Sequence, residues 1–147
     1  MGMLIEKPGI HEHMTALENL RYFSLLFGIQ SQDHHRILEM VGLQNAEKKK
    51  ARQFSLGMKQ RLGIAISLLG NPDFLILDEP INSLDPEGVY EMRKMLETLN
   101  RENGTTIMIA SHILSELYKL ATDYAIIILA VLRCVVWISY FICFDWF

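Results

Sequence analysis

The segment QFSLGMKQRLGIAISLLGNPDFLILDEPINSLD, residues 53–85, decides the fold of this chain. Ser55 can cap the N-terminus of a helix, and the apolar residues that follow recur at the spacing of one helical face until a Gly-Asn-Pro break. Residues 74–77 are a short, unalternating apolar run, which is typical of a parallel strand that is covered on both faces. The run ends in Asp78 and Glu79, and open α/β sheets bind ligands at this end of their strands.

Four motifs in and after this segment resemble those of the ATP-binding subunit of ABC transporters. FSLGM, residues 54–58, stands where that family has its signature pentapeptide, and FLILDE, residues 74–79, resembles the Walker B strand with its adjoining glutamate. NSLD, residues 82–85, resembles the D-loop, and IASH, residues 109–112, resembles the string that ends in the switch histidine. Each motif alone is weak, but the four in the family's order and spacing identify the chain as a member.

The expected fold is an α/β domain, namely part of a P-loop NTPase-like domain with a mainly parallel sheet and a small helical subdomain at about residues 12–70. A strand is predicted at residues 3–5. Helices are predicted from a capping box at Thr15 to Gly28, and at residues 33–41. The apolar stripes of these helices are either core or, as the resemblance implies, the contact with a membrane-spanning partner.

A second buried strand is predicted at residues 105–110, after a helix that begins near Pro86. An intervening helix makes the two strands parallel, so His112 is expected at the same sheet edge as the two acids. One more helix is predicted at residues 113–121, before a strand that starts at residues 124–126.

The resemblance implies ATP hydrolysis with Mg²⁺ at this sheet edge. In the family pattern, Asp78 would hold Mg²⁺ through its water shell, Glu79 would act as general base on the attacking water, and His112 would contact the γ-phosphate. These residue types suit the chemistry, because a hard cation prefers carboxylate oxygen and a base must lie beside the in-line water.

The resemblance also implies a second half-site that serves a different nucleotide. Ser55, Gly57 and Met58 lie at a helix N-terminus, which favours anions, and would grip the γ-phosphate of an ATP bound by the opposite subunit. Asp85 would help to couple the two sites. The implied active form is therefore a head-to-tail dimer with a transmembrane permease, cytoplasmic and peripheral at the inner face of the cell membrane.

Glu6 stands where the family has the glutamine of its Q-loop, which reaches the magnesium ion. A carboxylate can still contact the metal, directly or through water, but it cannot donate a hydrogen bond as an amide does. This IE-x-PG form, residues 5–9, looks most like the group that exports or confers resistance to bacitracin and lantibiotic peptides. A solvated turn acid is the alternative interpretation of Glu6.

The printed chain contains no G-x-x-x-x-G-K-[ST] sequence, the Walker A cradle that the family carries upstream of its Q-loop. The aromatic residue that would stack on adenine is also missing. The resemblance therefore covers about residues 3–127, with the partial ATPase domain assigned to residues 1–127. We expect that this polypeptide does not hydrolyse ATP by itself and binds it weakly at best.

Residues 128–147 depart from the family's pattern, since the sequence from residue 126 to the end is almost wholly apolar. Residues 126–144 are just long enough for a membrane span, although Arg133 near the middle would be costly. The alternative is a reading-frame shift, which the abrupt loss of pattern and the joint appearance of Cys and Trp favour.

Composition excludes some function classes. The chain has 14 Lys and Arg residues against 17 Asp and Glu residues, so nucleic acid is not an expected partner. Cys134 and Cys143 indicate neither a disulfide framework nor a metal site, and they suit a reducing cytosol. The histidines in polar surroundings are interpreted as surface residues rather than metal ligands: His11, His13, His34 and His35.

Three functions follow from these observations. The leading hypothesis is an ATP-binding and ATP-hydrolysing subunit that powers export of a peptide antibiotic, present here as a fragment that is inactive alone. The second is a non-catalytic module that lends its signature helix to a complete ATPase partner. The third is a soluble ABC protein of DNA repair or translation, against which the short helical subdomain argues.

Overall fold

The computed structural model of the chain describes residues 1–4, 9–123, 125–128, 131–135 and 141–146. Within these residues, one sheet of six strands is combined with five α-helices. The strands are β1 (Gly2–Leu4), β2 (Phe74–Asp78), β3 (Thr106–Ala110), β4 (Ala125–Ile128), β5 (Val131–Val135) and β6 (Phe141–Trp146). The helices are α1 (Ala16–Leu26), α2 (His34–Met40), α3 (Leu56–Ser67), α4 (Pro86–Asn103) and α5 (Leu114–Leu117).

The sheet has the strand order β1-β2-β3-β6-β4-β5 and is parallel except for β5, which runs antiparallel to β4. Helix α4 makes the crossover from β2 to β3, as a parallel pair requires. The register pairs Leu77 with Ile109 and Asp78 with Ala110, so β2 and β3 end side by side. The prediction of an α/β domain with a mainly parallel sheet is confirmed.

The predicted helical subdomain consists of α1, α2 and α3, which contact one another. Thr15 and Glu18 form the capping box of α1, with Glu18 N donating to Thr15 Oγ1 at 3.2 Å and Thr15 N donating to Glu18 Oε2 at 2.7 Å. The hydrogen bond that the Thr15 backbone N–H donates to the carboxylate is the main cause that lowers the pKa of Glu18, and the Thr15 side chain adds to it. Asp33 caps α2 and Ser55 caps α3, so polar caps begin all three helices.

The buried core joins the helices to one face of the sheet. Along β2 and β3 burial alternates, so that one face of each strand is buried and the other is half-buried. The prediction that the strand at residues 74–77 is covered on both faces is therefore wrong for the described residues, because an apolar run does not by itself specify what packs on each side. The largest side chains with under 2 % exposure are Leu20, Leu38, Leu43, Leu62, Ile64, Leu75, Leu77, Met92, Leu96, Leu99, Ile107 and Ile109.

The C-terminal residues continue the sheet. Strand β6 pairs with β3 and β4 pairs with β6, both in parallel. The predicted helix at residues 113–121 is shorter than expected: α5 ends at Leu117, and residues 118–120 form a turn that keeps Leu120 buried. In the part of the chain that the structure describes, no helix is long and apolar enough to span a membrane. The boundary at residues 127/128 and the origin of residues 128–147 stay predictions.

His34, which was expected at the surface, is half-buried and makes the stability of the fold dependent on pH. Its Nε2 atom lies 2.7 Å from Oγ of the buried Ser24. Burial, followed by the nearby Arg21 charge, lowers the pKa of His34 from its usual 6.5. Just below pH 6.5, the unfolded chain therefore binds more protons than the folded chain. The contribution of His34 to the free energy of unfolding is complete above that pH and is lost as the pH falls through the lowered pKa.

We expect the free energy of unfolding to decrease as the pH is lowered from about 7.5 to about 5, because neutral His34 must then take up a proton at a cost to the fold. The His34→Gln variant should show a smaller decrease over this range. Urea unfolding at a series of pH values measures it, with His13→Gln at an exposed position as the matched control. Equal slopes for the His34→Gln variant and the unmodified chain would contradict this assignment.

Candidate functional site

The adjoining ends of β2 and β3 form the centre of the candidate site. Directly after β2 the chain turns at Glu79, which has a positive φ of 49°. Such a backbone costs a non-glycine residue of the order of 1–3 kcal/mol, so it must be held by its surroundings. Glu79 N donates to the carbonyl oxygen of Ala110 at 2.8 Å, which fixes the residue across the end of the neighbouring strand.

The carboxylate of Glu79 is held from the β3 side at both oxygens. His112 Nδ1 lies 2.7 Å from Oε1, and His112 N donates to the same oxygen at 3.1 Å. Ser111 Oγ donates to Oε2 at 3.1 Å. The side chain of Glu79 is 22 % exposed to solvent and that of His112 is 59 % exposed, so the pair lies at an accessible edge of the sheet. The structure thus brings together the two residues that were predicted to be catalytic.

Asp78, the predicted Mg²⁺ ligand, is half-buried at the end of β2. Within the described residues, no group of three or more His, Cys, Asp or Glu side chains could hold a metal ion. Magnesium in nucleotide sites takes only one or two carboxylates and completes its shell with phosphate oxygens and water, so a single aspartate at this position fits that donor set. Glu6, the other predicted ligand, lies outside the described residues.

The start of α3 carries the three signature residues. Ser55 is the N-cap, and its Oγ accepts from Met58 N at 3.3 Å. Ser55 is exposed, whereas Gly57 and Met58 are half-buried. A side-chain carbon added at Gly57 would lie 3.4 Å from Leu84 Cδ2, so the D-loop packs against this turn of the helix. The first turn of a 12-residue helix has backbone N–H groups that suit an anion.

Residues 82–85, the predicted D-loop, contact both helix α3 and the end of β2. Gln60 Nε2 on α3 donates to the carbonyl oxygen of Asn82 at 3.3 Å, and Asn82 N donates to the carbonyl oxygen of Glu79 at 3.1 Å. Asp85 has a local role, since its Oδ1 accepts from Gly88 N at 3.2 Å and caps α4. The signature helix and the strand-end pair are therefore joined through residues 82–84.

Sequence reasoning missed two buried polar residues in this arrangement, Gln60 and Ser111. Gln60 carries a weak signal, since it lies at helical spacing from Ile64 and Ser67 on a face of α3 that is otherwise packed. Its Oε1 atom has no hydrogen-bond partner in the structure. Ser111 was part of the quoted IASH string, but only its histidine was assigned a role.

The site thus consists of Asp-Glu and a histidine at the carboxyl ends of neighbouring parallel strands, with a capped helix start packed on the intervening loop, and open α/β sheets bind ligands at these strand ends. The family model of the ABC transporters matches residues 1–82, and the chain belongs to this family. The assignment from the four sequence motifs is thereby confirmed.

Two curated relatives and one solved structure are similar to this chain. The chain is 48 % identical over 121 residues to the lantibiotic transport ATP-binding protein SrtF of Streptococcus pyogenes, covering 82 % of the chain and 52 % of that protein. It is 48 % identical over 128 residues to the bacitracin transport ATP-binding protein BcrA of Bacillus licheniformis, covering 86 % of the chain and 42 % of that protein. The chain thus spans about half the length of these curated relatives.

The solved structure is a dimeric, post-hydrolysis state of the ATP-binding cassette MJ0796 bound to ADP and Pi. It superposes with a TM-score of 0.64 at 27 % sequence identity, and the match covers 78 % of this chain and 53 % of that chain. The names of the two relatives agree with the peptide-antibiotic group that the IE-x-PG loop predicted.

Proposed function

We propose that this chain supplies the water-activating and signature parts of an ABC transporter ATP-binding subunit. The observation that carries the proposal is the Glu79–His112 pair, whose 2.7 Å contact lies where β2 and β3 end together. A carboxylate at an accessible sheet edge, held by several donors, is suited to take a proton from an oriented water molecule.

The proposed roles follow from the atoms that are available. Glu79 accepts the proton of the attacking water. Because Nδ1 of His112 is directed at Glu79, a contact of this side chain with the γ-phosphate uses Nε2. Asp78 would hold Mg²⁺, which when bound neutralises charge on the phosphate oxygens.

The second half-site would act on a different nucleotide. We infer that the Ser55 hydroxyl and the Gly57 amide contact the γ-phosphate of an ATP bound by the opposite subunit of a head-to-tail dimer. The exposed start of α3 supports this role, and the related MJ0796 structure is described as dimeric. The link through Asn82 would let each half-site respond to the other. Asp85, which caps α4 beside this link, would help to couple the two sites.

Export of a peptide antibiotic is the proposed transport activity, on the strength of the relatives named for lantibiotic and bacitracin transport. A permease would meet the helical subdomain at the exposed end of α1. Large apolar side chains cluster there and are 40–82 % exposed, namely Tyr22, Leu25, Leu26 and Phe27. In this proposal, the chain would lie on the cytoplasmic side, peripheral to the membrane.

A Walker A fusion tests the proposal. In this variant, a strand–loop–helix segment carrying G-x-x-x-x-G-K-[ST] is joined ahead of Met1. We expect the fusion to hydrolyse ATP and the unfused chain to show no turnover, because the printed chain has no phosphate cradle. A fusion that binds ATP but never hydrolyses it would contradict the role of Glu79.

The second candidate, a module that lends its signature helix to a complete ATPase, is favoured by the exposed cap of α3. Fluorescent-nucleotide binding separates it from the leading proposal. If the module reading holds, adding the unfused chain to a complete ABC ATPase tightens nucleotide binding, and the Ser55→Ala variant does so less. If the chain instead acts only when a Walker A segment is joined to it, neither the unfused chain nor its Ser55→Ala variant changes the affinity of the complete ATPase for nucleotide.

A further inference from the structure

Ser111 occupies a buried position between the strand end and the switch histidine. It is 2 % exposed, and its Oγ atom accepts from Ile113 N at 3.2 Å. A buried hydroxyl proton needs an acceptor, and the acceptor here is Oε2 of Glu79 at 3.1 Å. The hydroxyl is therefore fixed in direction from both sides, since one neighbour donates to it and the other accepts from it.

The hydrogen bonds at Glu79 distinguish its two oxygens. An ionised carboxylate has about four acceptor sites, two on each oxygen. Oε1 accepts hydrogen bonds from His112 N and His112 Nδ1, whereas Oε2 accepts one from Ser111 Oγ. The remaining acceptor capacity therefore lies on Oε2, the oxygen that Ser111 holds in place.

We propose that Ser111 is a positioning residue that selects Oε2 of Glu79 as the oxygen that takes the proton of the attacking water. The terminal torsion of a glutamate is broad and roughly two-fold, so contacts to one oxygen alone leave the other poorly directed. The hydrogen bond from the Ser111 hydroxyl restricts this rotation of the Glu79 carboxylate. The inference rests on the proposed function, because it specifies which atom of the proposed base acts.

The first test measures amide hydrogen exchange in the full chain and needs no nucleotide. The amide of His112 reports on the carboxylate, because it donates to Glu79 Oε1 and not to Ser111. In Ser111→Ala we expect its protection to fall by about tenfold, since the carboxylate loses a fixing donor. Ser111→Thr keeps a hydroxyl and should restore the protection.

Exchange at other amides separates this effect from damage to the fold. Ile113 N loses its acceptor directly in Ser111→Ala, so its faster exchange is expected on any account. The amides of β2 and β3 should keep the protection of the unmodified chain, which shows that the variant is folded. Unchanged protection of the His112 amide in Ser111→Ala would overturn the proposal.

The second test uses the Walker A fusion. Ser111→Ala should lower kcat about 10- to 100-fold with little change in KM for ATP, because a misdirected base affects the chemical step and not binding. Ser111→Thr should recover most of the rate. An unchanged kcat would overturn the inference. A fusion with no turnover even before substitution would count against the proposed function, and Ser111 would then be judged by amide exchange alone.

Discussion

Replacing Glu79 by glutamine in the Walker A fusion is expected to lower kcat by about 10²- to 10⁴-fold, the range typical of a lost general base. Glutamine keeps the size and an acceptor oxygen, so contacts with Ser111 and His112 have a partner, but it cannot take up the water proton. ATP affinity should change little, because Glu79 acts in the chemical step. Phosphate release under saturating ATP measures the effect.

The matched control is Glu87→Gln, the same chemical change at an exposed position in the first turn of α4. It should leave kcat unchanged, because Glu87 lies outside the strand-end pair. If Glu79→Gln retained the full rate, Glu79 would not be the base. If both variants lost activity equally, the loss would come from net charge and not from the position of the carboxylate.

The largest expected effect on stability is that of Leu77→Ala, about 2–5 kcal/mol of unfolding free energy. Leu77 is fully buried in β2, one residue before the Asp78–Glu79 end. Removing its methyl groups leaves a cavity between the sheet and the helices that closely packed neighbours cannot fill. Urea unfolding, compared with that of the unmodified chain, gives the difference.

Leu25→Ala is the control, since it makes the same change at a side chain that is 82 % exposed on α1. It should alter the unfolding free energy by no more than about 0.5 kcal/mol. Similar losses for the two variants would show that the burial of β2 has been assigned wrongly.

Local chemistry made part of the fold predictable. Some elements can be predicted from a few neighbouring residues. These are the helices that begin at the capping box of α1 and at the caps Asp33 and Ser55, and the strand whose apolar run ends in two acids. The meeting of Glu79 with His112 followed from one inference about topology, namely that a crossover helix makes neighbouring strands parallel.

Long-range packing was not predictable in the same way. Nothing in the sequence indicated that β6 would lie between β3 and β4, because strand order depends on contacts between distant segments. One face of β2 is only half-buried. This could not be predicted, because the apolar composition of a strand does not identify the element that covers it.

The same limit applies to the site. Gln60 donates a hydrogen bond to Asn82 and Ser111 donates one to Glu79, and these partners are 22 and 32 positions distant in the chain. No periodicity or motif encodes such a partner, because it arises only when α3 and the two strands are assembled. Roles that require a second chain or a nucleotide, including those of Ser55, Gly57, Met58 and Asp85, stay predictions.

Phosphate release from ATP, measured for the unfused chain and for the Walker A fusion, tests the central claim most directly. The claim is the proposed function, namely that the printed residues supply the base, the switch histidine and the signature, while the printed sequence contains no G-x-x-x-x-G-K-[ST] segment. It predicts no turnover by the chain, turnover by the fusion, and loss of that turnover on Glu79→Gln. Turnover by the unfused chain that Glu79→Gln abolishes would contradict it.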